Sequence, residues 1–346
     1  MEKDIKKEHD FATNGNLPYP AVELKPQVKH KRVWVNILLF VLSVITTMMV
    51  GAGNLGYNAW EAVTGNLPLS LFEQITAILP GWKYSFAVLL ILTAHEFGHY
   101  FAARWHKMFV SLPYYIPLPV TTQMFHFGTM GAFIRIKSPI PNRRALMDVA
   151  VGGPLGGLVF CLLFLFYGYL SLPSAEAVQM QVDAVHMRMG LTPELLEGGL
   201  TLTLGKSLLF AFFNDFVGGG KVPMSEIYHF PYIFAGWVGL LVTAINLLPI
   251  GQLDGGHVVY ALFGPKAKKI SQIGFISLGG LTVILSFSLG MLALMWVPMM
   301  IILSLIGLRH PPTMNDYMEL NKKRRWLGWL CIGVFVVSFM PLPIYF

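Results

Sequence analysis

A chain of 346 residues that is 55% apolar and only 12% charged, with a mean hydropathy of +0.59, is too poor in charge for a soluble globular domain, in which about a quarter of residues are charged. Several runs approach the ~20 apolar residues of a membrane helix, so the net charge of +7 needs no nucleic acid to explain it. The two cysteines, Cys161 and Cys331, both fall in apolar runs and argue against a disulfide framework.

Taken in chain order, residues 1–32 mix seven Lys/Arg with five acids and three prolines, and read as a disordered cytoplasmic tail. They have neither the composition of a transit peptide nor a cleavable signal. Seven spans follow, at 33–53, 84–105, 149–170, 231–250, 270–289, 291–308 and 326–345. The fifth and sixth share one apolar run too long for a single ~30 Å crossing, and it is divided at Gly290. The stretch 67–79 is too short to cross and is expected at the outer interface. The outer loop 171–230 is acidic, with a helix start at Thr192-Pro193-Glu194 and a glycine break at 218–220. Charge bias tests this count. With the N-terminus inside, the inner segments hold 21 of the 25 Lys/Arg, leaving only Lys83, Arg188, Lys206 and Lys221 outside. The expected topology is N-terminus in, C-terminus out, and the fold class is an all-α polytopic membrane protein.

The second span carries "LTAHEFGHY", residues 92–100. An ionisable group at membrane depth costs roughly 2.5–3.5 kcal/mol or more, so three of them require a reason. His95 and His99 are i,i+4 on a helix and share one face, which lets two imidazoles grip one metal ion with Glu96 beside them. Buried histidines satisfied by backbone carbonyls would explain neither that spacing nor the glutamate. Catalytic zinc takes three protein ligands, so a third must come from elsewhere at similar depth. The other spans contain no Asp, Glu, Lys, Arg or His. At the inner end of the fourth, however, "NLLPIGQLDGGH" (246–257) sets Asp254 just past a proline-glycine break. The His-bearing span also runs from outside to inside, so both motifs fall in the inner half.

HEFGH, then GGPLGG on the third span, then N-x-x-P-x-x-x-L-D-G-G, resembles the site-2 protease family of intramembrane zinc metalloproteases, over about residues 84–263. The resemblance implies one Zn²⁺ per chain held by His95, His99 and Asp254, with Glu96 as catalytic base. It implies that Asn246 helps to hold the substrate strand or the developing oxyanion. The Pro-x-Gly-x-Leu-Asp-Gly-Gly form and the later "RHPPT" are similar to the branch that includes plant chloroplast members, whereas the first 32 residues favour a bacterial-type cytoplasmic membrane. Many relatives carry a PDZ domain, and no loop here has room for one. The expected organisation is a cytoplasmic tail, 1–32, and one transmembrane protease domain, 33–346.

His257, three residues past Asp254, is expected near the site or the headgroups rather than on the metal. His106 and His126 are expected to be solvated in the inner loop, and Asp148 to pair with Arg143 or Arg144. Gly152, Gly153, Gly156 and Gly157 are expected to let the third span close on the second. The segment 128–139, "GTMGAFIRIKSP", corresponds in that family to a short re-entrant β-hairpin near the active site. A substrate helix must unwind before its carbonyls can react, and a strand edge offers replacement hydrogen bonds. Gly128, Gly131, Ala132 and Phe133 are therefore expected to bind substrate. The implied activity is cleavage of transmembrane segments of single-pass or multi-pass membrane proteins within the bilayer. A metal transporter would instead stage ligands along a path, and a catalytically silent scaffold would not need Glu96.

Overall fold

A computed structural model describes residues 33–64, 70–118, 126–192, 202–289 and 295–345. The segment 1–32 expected as a cytoplasmic tail, the expected helix start at 192–194 and the expected division at Gly290 therefore lie wholly or partly outside the described residues. What is described is mostly helical. α1 (Val33–Gly53) leads to two short helices, α2 (Ala59–Thr64) and α3 (Leu71–Ile78), and then to α4 (Trp82–Trp105). β1 (Tyr114–Pro117) and β2 (Thr129–Phe133) form an antiparallel hairpin ahead of α5 (Arg143–Leu170). The loop after α5 holds α6 (Ala175–Arg188), β3 (Thr203–Leu204) and α7 (Leu208–Ala211), which runs on into a π-helical turn. α8 (Pro231–Asn246), α9 (Asp254–Phe263), α10 (Ala267–Leu289), α11 (Val297–Ile306), α12 (Lys322–Ser338) and β4 (Ile344–Tyr345) complete the order, with β4 pairing to β3.

Four helical stretches among the described residues are long and apolar enough to cross a membrane: Val33–Gly53, Phe72–Trp105, Arg143–Leu170 and Asp254–Phe287. Three shorter apolar helices accompany them, α8 and α11 included. Two differences from the hydropathy reading have local causes. Residues 326–345 are helical only to Ser338, because Pro341 and Pro343 cannot continue a helix and the chain turns back to pair β4 with β3. The described part of the 67–79 stretch is continuous with the second span, since α3 runs through a 3₁₀ turn at Leu79–Gly81 directly into α4.

The packing centres on α5, against which α4, α8, α9 and α12 all lie. α4, α5 and α8 pack mutually, and their shared apolar core includes Ile91, Leu92, Cys161, Leu165, Phe234 and Trp237. α9 and α12 pack on the first half of α5 around Leu146, Met147 and Val258. Large apolar side chains on the outward faces stay exposed, among them Trp34 and Ile37 of α1 and Ile276 and Phe287 of α10. Faces of that kind suit hydrocarbon, and a water-soluble bundle would bury them.

The hairpin lies along α1. Asn36 donates to the carbonyls of Leu112 and Pro113, and Thr46 donates to that of Gly128. Ten residues separate Asn36 from Thr46, about 15 Å of helix, so the ribbon follows the span and is not perched on its end. Tyr84 of α4 donates to the Phe127 carbonyl as well. These side chains supply donors to carbonyls of the non-helical backbone around the hairpin.

Candidate metal centre

His95, Glu96 and His99 are all buried in the middle of α4. Their surroundings come from glycines. A Cβ on Gly98 would lie 2.1 Å from the Gly152 carbonyl, so α4 and α5 touch backbone to backbone. A Cβ on Gly153 would lie 2.1 Å from His99 Nε2, which puts that glycine against the imidazole itself. The expectation that α5 closes on α4 through its glycine run thus has a specific geometry, and the third span buttresses the histidines.

The same approach fixes a tautomer. His99 Nδ1 donates to the Val149 carbonyl at 2.7 Å, which leaves Nε2 as a bare lone pair in a neutral ring. His99 Nε2 lies 3.1 Å from His95 Nε2, and each lies 3.2 Å from Asp254 Oδ2. Lone pairs on His99 Nε2 and Asp254 Oδ2 would repel at that distance unless a proton or cation lay between them. Tetrahedral zinc with bonds of about 2.0–2.2 Å holds its ligand atoms about 3.3–3.5 Å apart, so the triangle is nearly the right size and its donor set is the right type. The residues present fit the metal.

Asp254 reaches the histidines from the first turn of α9. The sequence places it after a break, and the structure starts a new helix at that very residue. α8 stops at Asn246, the chain turns through Leu247–Leu253, and α9 folds back on that turn. A Cβ on Gly255 would lie 2.0 Å from the Leu247 carbonyl, so the residue after the aspartate must be glycine for the reversal to close. A carboxylate in a helix's first turn is also favoured by the unpaired N–H groups there. At the far end of α9 the Arg143 guanidinium donates to the carbonyls of Ala261 and Leu262, tying the helix to the start of α5.

Asn246, the last residue of α8, places its side-chain amide 3.3 Å from His95 Nε2. Glu96 is met from another direction, because the Ile134 backbone N–H, just past β2, faces its carboxylate. Gly131, Ala132 and Phe133 precede that contact on β2, with Ala132 opposite Tyr115 and Phe133 opposite Tyr114. The ladder continues beyond the strands, through Ser111 to Arg135 and Lys137 to Phe109. The hydroxyl of Tyr115 hydrogen-bonds that of Thr93 on α4 at 2.6 Å. Gly128 sits at the hairpin's other end, against α1, and is not brought to the metal triangle.

Other expectations are corrected. Asp148 does not pair with Arg143 or Arg144. It takes a two-pronged ion pair from Arg324 on α12 and a 2.8 Å contact from His106. Arg143 is engaged with α9 carbonyls and Arg144 with that of Glu319, which leaves Asp148 to the helix packed beside it. His106 is therefore held in a network and is not simply solvated. His257, as expected, stands outside the triangle; it meets His310, Nδ1 to Nε2, at 2.6 Å. Neither the Arg324 nor the His310 partnership has a local sequence signal, since the partners lie 176 and 53 residues away.

A family model described as peptidase family M50 matches residues 83–287, more than half of the chain. The chain is 30% identical over 274 residues to an Arabidopsis thaliana protein described as "Probable zinc metalloprotease EGY1, chloroplastic", covering 79% of this chain and 44% of that protein. It is 28% identical over 326 residues to the protein of the same description from Oryza sativa subsp. japonica, covering 90% and 50%. An Oryza sativa subsp. indica protein described as "Probable zinc metalloprotease EGY2, chloroplastic" is 30% identical over 213 residues, covering 61% and 35%. The chain thus spans about half the length or less of these relatives. No solved structure matches it.

Proposed function

The chain belongs to peptidase family M50, and on that premise we propose that it is a membrane-embedded zinc endopeptidase that cuts transmembrane segments of other membrane proteins. The observation that carries the reading is the convergence of His95 Nε2, His99 Nε2 and Asp254 Oδ2 on one buried point, with the Glu96 carboxyl beside it. When bound there, zinc supplies a Lewis acid that polarises the scissile carbonyl and acidifies a water. His95, His99 and Asp254 hold it, and the Val149 carbonyl keeps His99 in the ligating tautomer. Glu96 takes the proton from the attacking water and delivers it to the leaving amine. Asn246, beside His95, is placed to donate to the substrate carbonyl as negative charge grows on its oxygen. β2 holds the unwound substrate as an added strand, and its continuation at Ile134 orients the base.

The substrates on this reading are single-pass or multi-pass membrane proteins, met within the bilayer. The bacterial-type cytoplasmic membrane, with the N-terminus inside, remains our placement. The plant relatives are described as chloroplastic, and either membrane offers the site the same hydrocarbon surroundings. The test is Glu96→Gln in purified protein, assayed with a transmembrane substrate in proteoliposomes. Its zinc content is expected to match wild type, with cleavage down at least a hundredfold, whereas Asp254→Ala loses both. A zinc-free Glu96→Gln, or an Asp254→Ala that stays fully loaded, overturns the role assignment.

A further inference from the structure

The loop after α5 contains a second triangle of the same kind. His186 lies in the last turn of α6, and Glu226 and His229 precede α8. His186 Nε2 is 3.1 Å and His229 Nε2 is 3.2 Å from the same oxygen, Glu226 Oε2, and the three donor atoms all lie within 4.8 Å of one another. The corresponding histidine–carboxylate edges of the His95–His99–Asp254 triangle are both 3.2 Å. The side chains are sheltered, with His186 12%, Glu226 13% and His229 0% exposed.

Two features set this cluster apart from an ordinary histidine–carboxylate contact. His229 Nδ1 donates to the Asn54 carbonyl at the end of α1, which assigns Nε2 the lone pair in a neutral ring, as Val149 does for His99. That Nε2 is fully buried, makes no hydrogen bond, and points at Glu226 and His186. The carboxylate is also divided in its duties. Oε1 accepts from the Ser225 hydroxyl, while Oε2 alone faces both rings. Two imidazoles and one carboxylate oxygen are the donor set of a three-ligand zinc site with one position open.

We propose that His186, Glu226 and His229 form a second binding site for a zinc-class divalent cation, separate from the HEFGH centre. The two sites lie at opposite ends of α8. His229 stands two residues before its first residue and Asn246 is its last, about 22 Å along the axis. An ion at the second site would join α6, the entry to α8 and the end of α1, pinning the outer loop onto the bundle. The divided position of its ligands, forty residues apart, explains why no motif announces it.

The experiment uses the full chain in detergent, with no polyhistidine tag, stripped by chelator and titrated with Co²⁺ and then Zn²⁺. Wild type is expected to bind about two ions per chain and His95→Ala/Asp254→Ala about one. In that double variant the remaining Co²⁺ should give the strong visible absorption of a four-coordinate site. Adding His186→Ala or Glu226→Gln is expected to weaken the remaining ion at least tenfold and remove its effect on melting temperature. Neither side chain is fully buried, so these variants carry the test without relying on His229→Ala, whose ring is enclosed. A wild type that binds one ion, lost with His95→Ala, overturns the proposal. So does a double variant whose remaining ion is indifferent to His186→Ala and Glu226→Gln. Cleavage plays no part in the readout, so a failure of the peptidase assignment would leave this result standing.

Discussion

At the scale of single residues, the centre depends on atoms that are missing as much as on those present. Gly153 leaves the space that His99 occupies, and a methyl group there would lie 2.1 Å from the ligating nitrogen. Overpacking of this kind costs roughly 1–3 kcal/mol when neighbours can shift, and here the neighbour that must shift is a metal ligand. Gly153→Ala is therefore expected to lower zinc affinity at least tenfold in equilibrium dialysis. Gly333→Ala, on α12 with open space around it, should leave zinc untouched and leave stability equal or slightly higher. Equal zinc affinity in the two variants would sink the packing argument. A second residue-scale consequence lies outside the spans. Burial raises the Asp316 carboxyl, but donation from Thr313 and from the Tyr260 hydroxyl outweighs it, and the net effect holds the group below the usual aspartate range. A depressed carboxylate adds stability that is present above its unfolded value, near pH 4, and is lost as pH falls through the lower folded value. Melting temperatures from pH 6 to 3 should thus fall more steeply for wild type than for Asp316→Asn. Parallel curves would show that the loop–α9 tie contributes nothing.

At the scale of elements, the hairpin and α9 do the positioning. β2 has β1 on one edge and no other strand among the described residues on the other. Proline at Ala132 would remove a donor and bend the ribbon next to Glu96 without touching a metal ligand. Ala132→Pro is expected to abolish cleavage with zinc content unchanged, and Ala132→Ser to be nearly silent. Ile134→Pro is the less clean probe, since it also deletes the N–H that faces Glu96. Normal cleavage by Ala132→Pro would leave the hairpin as a structural ribbon only. The elements also mark what can be read without coordinates. An i,i+4 histidine pair, a glycine run and a Leu-Asp-Gly-Gly turn each act within a few residues, so their convergence was legible from local spacing and a count of crossings. Asp148 with Arg324, His257 with His310 and His186 with Glu226 meet only through helix packing, across 176, 53 and 40 residues. Hydropathy marked where apolar runs lie, but not that one of them ends at Ser338 or that α9 begins at the aspartate, because those boundaries are set by proline and by backbone contact.

At the scale of the whole molecule, the question is which side of the membrane each site faces. α8 has 16 residues, about 24 Å of helix against about 30 Å of hydrocarbon, so on the proposed topology Asn246 and the metal triangle would end short of the inner surface. On that topology water would reach them along a polar path from the side where the Lys/Arg excess lies. The same topology assigns the loop carrying His186, Glu226 and His229 to the opposite side. Four exposed positions decide this: Glu176 and Lys221 on that loop, Lys268 at the start of α10 and Lys323 at the start of α12. The native Cys161 and Cys331 are buried and unpaired, so background labelling in intact cells should be low. Cysteines at 176 and 221 are expected to react with an impermeant thiol reagent from outside, and those at 268 and 323 only after the membrane is opened. The reverse pattern would put the HEFGH centre in the outer half and move its water supply to the other face. It would also expose the second triangle to the cytosol, where free zinc is kept scarce. Labelling of all four from outside would mean that the 21-to-4 charge division does not set the crossings at all.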